Sequence, residues 1–162
     1  MAPDISADIP VGISDEELVS RFPGYPLDHD TAARYRGWLD RVMLIDRCAT
    51  CGTWHEPPGP ICPKCWSTDI VPTPIAGTGT IHLAIFLHQG PPVEGVDYST
   101  PYPVVVVELD EQPSLRVSST VVGADNADIV IGQRVRLDWI ERRGAPMPVF
   151  RLDDVSSSPV AS

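Results

Sequence analysis

Apolar and polar residues alternate with a period of two through the second half of the chain. The alternation covers residues 81–87, 115–121 and 135–139, and an almost wholly apolar run lies at 104–109. Alternation indicates strands with one buried face, whereas a continuous apolar run indicates a strand buried on both faces. A last short segment, 148–152, brings the prediction to about five strands.

Turn-forming residues separate these segments, and no helical pattern lies between them. Strands that follow one another without intervening helices do not form a parallel sheet, so we predict a small OB-fold β-barrel. Gly77 and Gly79 mark a turn or bulge at its start. The segment 89–103, which contains four prolines and two glycines, is expected to be a long functional or mobile loop.

The N-terminal part has helical spacing instead. Ser14 is placed to cap a short helix, 15–22, with Glu17 completing a capping box. A second helix is expected to begin near Asp30, and its apolar residues recur at intervals of three and four: Tyr35, Trp38, Leu39 and Val42. This stripe has two interpretations, since it can pack on the chain's own core or dock on a partner protein.

Two C-x-x-C pairs follow the helices and hold every cysteine of the chain: Cys48, Cys51, Cys62 and Cys65. Each pair bends the backbone so that two sulfurs point at one spot, and four thiolates form the tetrahedral cage of a closed structural Zn²⁺ site. The predicted module is a rubredoxin-like zinc ribbon. A strand at 43–47 leads into it, and a strand at 70–75, interrupted by two prolines, leaves it at a sheet edge.

The cysteine spacing leaves other chemistry open. Iron in a rubredoxin-like site uses the same four ligands. A redox C-x-x-C normally lies between a strand and a helix of a thioredoxin-like unit, and two copies would be unusual. Disulfides need an oxidising compartment, which nothing in the sequence indicates. Structural zinc is the interpretation that we favour.

These patterns predict a mainly β chain in five parts. Residues 1–12 form a disordered N-terminus, 13–42 a helical arm and 43–75 the zinc ribbon. Residues 76–152 form the C-terminal OB-fold barrel, and 153–162 form a disordered tail.

The charge balance limits the partners. Twelve Lys and Arg against twenty-two Asp and Glu give a net charge of −10, which repels the phosphates of nucleic acids. The first residues lack the basic and apolar regions of a signal peptide, and no apolar stretch is long enough to span a bilayer. We therefore expect a cytoplasmic protein with reduced cysteines and with neither a membrane nor a nucleic-acid partner.

The order of these landmarks resembles a known family, the zinc-ribbon/OB-fold acyl-CoA-associated proteins, or domain-of-unknown-function family thirty-five. The resemblance spans residues 30–152. It rests on the following residues: Trp38; Arg47, Cys48, Cys51 and Gly52; Pro57 and Pro58; Cys62, Pro63 and Cys65; Gly77, Gly79 and Thr80; 103–110; Ile131, Gly132 and Val135; and 148–150.

The resemblance implies an accessory subunit that binds a thiolase-fold enzyme, such as a thiolase, an acyltransferase or a retro-aldolase acting on acyl-CoA thioesters. A steroid side-chain aldolase is one such partner. The family picture is a heterotetramer or another hetero-oligomer, in which this chain shapes the acyl-CoA entrance or channels the thioester near the interface. On this reading the isolated chain has no activity.

Two positions depart from the family pattern. Gly59 stands where the family usually has an Arg after the double proline, so direct binding of CoA by this loop is not implied. Trp66 stands where the family usually has Gly after the last cysteine. Tryptophan is favoured at interface hot spots, so Trp66, together with Trp38 and Trp54, is a candidate partner contact. The alternative for Trp66 is that it covers the ribbon itself.

The sequence carries no G-x-S-x-G motif, paired-His metal motif or Gly-rich phosphate loop. His82 is the one weak catalytic candidate, as a general base at a shared interface, although an ordinary strand residue is the simpler interpretation. Two other functions stay open. One is a zinc-ribbon OB-fold nucleic-acid-binding protein, which the charge disfavours, and the other is a stand-alone acyl-CoA thioesterase, which lacks a recognisable catalytic set.

Overall fold

A computed structural model describes residues 12–153. Its helices are α1 (Asp15–Arg21) and α2 (Ala32–Leu39), and a 3₁₀ turn lies at Asn126–Asp128. Its strands are β1 (Leu44–Cys48), β2 (Trp54–His55), β3 (Ile70–Pro74), β4 (Thr78–Leu87), β5 (Tyr102–Leu109), β6 (Arg116–Ser119), β7 (Arg134–Arg142) and β8 (Ala145–Leu152). The mainly β prediction is confirmed. The two terminal segments predicted to be disordered lie, apart from Gly12 and Asp153, outside the described residues.

The ribbon sheet has three antiparallel strands in the order β2-β1-β3. The β3 strand, which contains Pro72 and Pro74, lies at the edge, since proline has no N–H to donate to a further neighbour. Central β1 is buried at Leu44, Ile45, Asp46 and Cys48. This strand therefore connects the cysteine pairs to the interior of the molecule.

The second sheet has five antiparallel strands in the order β6-β5-β4-β7-β8 and is curled into a half-barrel. A parallel bridge between Val121 and Phe150 brings its two ends together. Strand β4 pairs with β5 from Gly79 to Leu87, with a bulge between Ile81 and Leu83, but it pairs with β7 only from Thr78 to Thr80. Beyond Ile81, which bonds to Gly132 and Gln133, no strand of the described residues pairs with this edge of β4.

One hydrophobic core joins the barrel to the ribbon. Val105, Val107, Val135 and Phe150 are fully buried inside the curled sheet, and Ile45 from the ribbon strand β1 is part of the same cluster. The ribbon and the barrel therefore share a core.

The helical arm packs on its own chain. Leu18 and Phe22 of the first helical segment and Tyr35 of α2 are buried together with Ala145 of β8. Trp38 lies in the same cluster, 6.4 Å from the ring of Trp139 on β7. Of the two interpretations of the apolar stripe, the structure supports packing on the chain's own core.

The surface that receives the arm was not predicted. Strands β7 and β8 were expected to end near residue 139 and to begin at 148, but they continue to Arg142 and Ala145 around a turn at Arg143 and Gly144. Both turn residues have positive φ, 52° and 74°, as tight hairpin turns require. The extended hairpin carries Ala145 to the arm.

The start of α1 agrees with the prediction, since the Ser14 hydroxyl accepts a hydrogen bond from the Glu17 amide at 3.2 Å. The second helix begins at Ala32, two residues later than expected, after Thr31. Within residues 12–153, neither helix is long and apolar enough to cross a membrane.

Gly79 is the residue of β4 at which added volume should be most harmful. A Cβ atom there would lie 2.5 Å from the Glu108 carbonyl oxygen and 2.7 Å from Val107 Cγ1. Both neighbouring strands pair with this position, so the backbone has no room to shift. We expect Gly79→Ala to lower the free energy of unfolding by about 1–3 kcal/mol, measured by urea denaturation.

Gly59→Ala is the matched control, since no heavy atom lies within 4 Å of a Cβ at that position. Its stability should stay within about 0.5 kcal/mol of the parent chain. Equal unfolding midpoints for the two variants would show that the close approach at Gly79 does not affect the free energy of unfolding.

Candidate metal centre and docking surfaces

The four cysteines converge at one end of the ribbon. Their sulfurs all lie within 4.8 Å of one another, and the Cys48–Cys65 and Cys51–Cys62 pairs are each 3.6 Å apart. Four thiolates at about 2.3 Å from a shared tetrahedral metal lie about 3.8 Å apart, whereas a disulfide holds its sulfurs at about 2.05 Å. The sulfur geometry fits a four-thiolate metal site and no disulfide.

The two knuckles have the same backbone hydrogen bonds. The amide of Cys48 donates to Thr53 O, and the amide of Cys62 donates to Ser67 O, each at 2.9 Å. The residue after each second cysteine donates to the carbonyl of the first, Gly52 at 2.8 Å and Trp66 at 3.0 Å. Both residues have a left-handed backbone, with φ of 73° and 64°. Trp66 therefore occupies the position that glycine holds in the first knuckle.

The close packing of the thiols shifts two cysteine pKa values in opposite directions. The Thr53 side chain and amide lower the pKa of Cys51 to about 6. At Cys65 the Ser67 amide acts to lower the pKa, but desolvation and the three neighbouring cysteines outweigh it and raise the pKa to about 12. Four sulfurs this close repel one another when ionised, and a bound dication removes that repulsion.

An amide clamp fixes the ribbon to the barrel. The Trp54 amide donates to Gln112 Oε1 at 3.0 Å, and Gln112 Nε2 donates back to Trp54 O at 3.1 Å. The Arg47 guanidinium lies over the Trp54 ring, 5.4 Å from its centroid. The metal knuckles are therefore held in a fixed orientation relative to the curled sheet.

The three tryptophans that the sequence offered as partner contacts lie in different settings. Trp38 packs in the aromatic cluster of the arm, and Trp54 is half-buried beneath Arg47. Both rings are used inside the chain. Trp66 is 79% exposed, and no aromatic or hydrophobic cluster of the described residues includes it. The structure leaves Trp66 as the tryptophan available to a partner.

His82 is the extra residue of the β4 bulge, and its side chain is exposed. Within residues 12–153 its ring makes no hydrogen bond and no ion pair, so no nucleophile or acid is positioned by it. Two acids near the start of β4 have structural partners: Glu111 accepts from the Ala76 amide at 2.6 Å, and Asp110 accepts from the side chains of Thr78 and Arg134. His82 as a general base stays a prediction.

Sequence reasoning missed a buried polar group beside the ribbon. Asp46 on β1 and His55 on β2 face each other across the sheet and are 8% and 9% exposed. Burial raises the pKa of the Asp46 carboxyl, whose Oδ2 accepts one hydrogen bond, from the Gly59 amide at 3.2 Å. The available signal was Asp46 itself, a charged residue next to Ile45 in an otherwise apolar strand.

Comparison with known proteins identifies both modules. Residues 40–71 match the family model "ChsH2, rubredoxin-like zinc ribbon domain", and residues 72–139 match "ChsH2, C-terminal OB-fold domain". A DUF35 domain-containing scaffold protein of Methanocaldococcus jannaschii is 30% identical over 105 residues, which cover 62% of this chain and 72% of the relative. The chain belongs to the DUF35 family.

Two further similarities involve larger assemblies. A DUF35 chain in the solved structure described as the Ltp2-ChsH2(DUF35) aldolase is 37% identical, with a TM-score of 0.71, and the match covers 79% of this chain and 98% of that one. A probable enoyl-CoA hydratase alpha subunit of Thermomonospora curvata is 37% identical over 130 residues, 80% of this chain. The chain spans only 39% of the length of that relative.

The family match and the sulfur geometry together assign the cysteines to a structural metal site in a rubredoxin-like ribbon. Each sulfur is contributed by a knuckle, so no coordination position is left for a substrate. The expected chemistry of the ion is structural, since it neutralises the thiolates and joins the two knuckles.

Removing one metal ligand should unfold the ribbon. Cys62 is fully buried. The Cys62→Ser variant keeps only three thiolates, so it should bind the metal more weakly. We expect this variant to lose its metal by elemental analysis and to lose the amide protection of β1 in hydrogen exchange. Ser67→Ala, which removes a hydroxyl bonded to Thr50 Oγ1 at 2.8 Å, is the control and should retain the metal. A folded, metal-free parent chain would contradict the structural role.

Proposed function

We propose that the chain is an accessory subunit of a thiolase-fold enzyme that makes or breaks a carbon–carbon bond in an acyl-CoA thioester. The observation that carries this proposal is the match to the Ltp2-ChsH2(DUF35) aldolase, in which a chain of the same architecture is covered over 98% of its length at 37% identity. At that level of identity and coverage, similar surfaces are expected to contact similar partners.

The relation to the hydratase alpha subunit is consistent with this role. That relative carries the aligned segment within a chain more than twice as long. Similar segments thus occur with an aldolase and with a probable enoyl-CoA hydratase, as expected of a scaffold that supports chemistry done by another domain or subunit. We place the acyl-CoA near the interface with the partner.

Two exposed apolar surfaces support hetero-oligomer formation, for which a heterotetramer is the arrangement we propose. The first is the open edge of β4, where Leu83 and Ile85 are each 45% exposed; Val130 and Ile131, 56% and 63% exposed, precede the Gly132–Gln133 segment that bonds to Ile81 of the same strand. Leu83 and Ile85 lie beyond the point where β7 stops pairing with β4, and no other strand of residues 12–153 pairs with that edge. A partner covers both the apolar side chains and the edge.

The second surface is Trp66. A non-glycine residue in the left-handed region costs about 1–2 kcal/mol, and the 79% exposed indole belongs to no hydrophobic or aromatic cluster of residues 12–153. A residue with such a cost is explained by a contact made outside the chain, and tryptophan is favoured in interface hot spots. We infer that Trp66 is buried against the partner.

Zinc is the metal that we propose. Four thiolates in a closed tetrahedral site are its usual structural environment, and a mainly scaffolding role needs no redox change. Iron in the same site would give visible absorption and would be detected by the elemental analysis described for Cys62→Ser.

Activity with and without the chain tests the proposed role directly. The chain should be co-expressed with the thiolase-fold protein of the same organism, and acyl-CoA turnover should be measured for the complex and for each component. We expect turnover by the complex, none by the isolated chain, and a substantial loss when the partner is alone.

The same assay distinguishes the alternatives. Full turnover by the partner alone would overturn the accessory role, and turnover by the isolated chain would support a thioesterase. Salt-dependent oligonucleotide binding would favour the nucleic-acid alternative, against which the net charge of −10 counts.

Trp66→Gly separates docking from folding. Because glycine accepts the left-handed backbone, this variant should be as stable as the parent chain or more stable by about 1 kcal/mol. Partner capture should nevertheless weaken by about tenfold or more, measured by surface plasmon resonance. Val19→Ala, at an apolar position of α1 that is 56% exposed, is the control and should bind normally. Unchanged affinity of Trp66→Gly would remove this residue from the interface.

A further inference from the structure

A groove of about 570 Å³ lies between the start of α2 and the ribbon. Its walls are mostly apolar, formed by Ala33, Pro60, Ile61, Ile70 and Pro72. Two carboxylates also line it, Asp30 and Asp46. An apolar cleft with a pair of acids at defined places has the composition of a recognition site, since the walls give contact area and the acids give specificity.

The Asp46 carboxylate is the unusual feature of this groove. It is only 8% exposed, and among the described residues its one hydrogen bond is the Gly59 amide at 3.2 Å to Oδ2. No Lys, Arg or His nitrogen of the described chain lies within 4.0 Å of it. His55, which faces Asp46 across the sheet, and Arg34, which is paired with Glu56, act on this carboxyl only from beyond that distance. Carboxylates buried this deeply are normally in direct contact with a cation, and none of the described residues supplies one to Asp46.

The geometry selects the kind of cation. Within the described residues, the four cysteines are the one group that brings three or more metal-ligand atoms together, so the groove does not gather a metal site. His29, at the rim, is fully exposed and lies 3.4 Å from Asp30 Oδ1, too far out to neutralise the buried acid. An organic cation with a flat, weakly hydrated head fits apolar walls above a carboxylate, which describes a guanidinium.

Charge complementarity indicates where that cation comes from. The chain has a net charge of −10, so another copy of it is an unfavourable source. A partner subunit that docks on the ribbon through Trp66 would bring its own side chains close to this face. We propose that the groove between α2 and the ribbon receives an arginine side chain of the partner subunit, on the Asp46 carboxylate. This proposal rests on the accessory-subunit function proposed above.

The groove can be tested in the metal-loaded full chain without the partner. The probe is N-acetyl-arginine methylamide, titrated into the ¹⁵N-labelled protein and followed by amide chemical shifts. We expect saturable shifts at Gly59, Ile61 and Ala33. The citrulline analogue, which has the same shape without the charge, should bind about tenfold more weakly, because a charge-assisted bond is lost.

Two variants locate the binding. Asp46→Asn keeps an oxygen for the Gly59 amide but removes the charge, and it should abolish the arginine shifts. Gly59→Arg places a guanidinium in the open space beside Asp46, where no atom lies within 4 Å of a Cβ, and it should block the probe. Asp69→Asn, which removes an exposed ribbon carboxylate, is the control and should leave the shifts unchanged.

The outcomes are distinct from those of the turnover assay. Equal binding of the arginine and citrulline probes, or shifts that survive Asp46→Asn, would overturn the cation groove and leave the accessory role untouched. Partner capture gives the final criterion. Gly59→Arg should weaken it by about tenfold, and unchanged capture would overturn the assignment of the groove to the partner.

Discussion

The convergence of four sulfurs on one spot is the constraint on which the rest of this structure depends. The ribbon sheet contains a two-residue strand and an edge strand with two prolines, and neither provides much apolar burial. Without a metal, the four thiols provide repulsion or weak hydrogen bonds instead of a core. The ion turns the knuckles into a fixed unit and fixes the ends of β1 and β3 beside it.

The effect of the metal extends beyond the ribbon because β1 belongs to two structures. Cys48 at its end is one of the four clustered cysteines, while Ile45 and the preceding Met43 are part of the barrel core. The Trp54–Gln112 clamp adds a polar connection on the other side. The knuckles, β1 and the Trp54–Gln112 clamp thus hold the ribbon in a fixed position on the barrel. A rigid surface of this kind suits the proposed role of presenting contacts to another protein.

The helical arm completes this surface in an unexpected way. Its aromatic residues cover the β7–β8 hairpin, so the arm is a structural part of the chain. By packing there, α2 also forms one wall of the groove above Asp46. The exposed apolar side chains that we propose as partner contacts are ones that this packing leaves at the surface: Trp66 at the second knuckle and Leu83 and Ile85 along the open edge of β4.

Much of this architecture followed from the sequence by itself. The spacing of the cysteines determined the metal site, because two C-x-x-C pairs leave the sulfurs few other arrangements. The period-two pattern predicted the barrel strands, and the two prolines of β3 predicted its position at a sheet edge. These signals are local, since each depends on residues close together in the chain.

Tertiary structure decided the features that depend on residues far apart in sequence. Ala145 of the β7–β8 hairpin packs with Phe22 and Tyr35, more than a hundred residues earlier in the chain, a contact that no local pattern around the turn indicates. Trp38 is internal because it packs in the arm near Trp139, whereas Trp66 is exposed, and the sequence does not distinguish the two. The groove above Asp46 required the assembled fold, because Asp30, Asp46 and Gly59 meet only when α2 packs beside the ribbon.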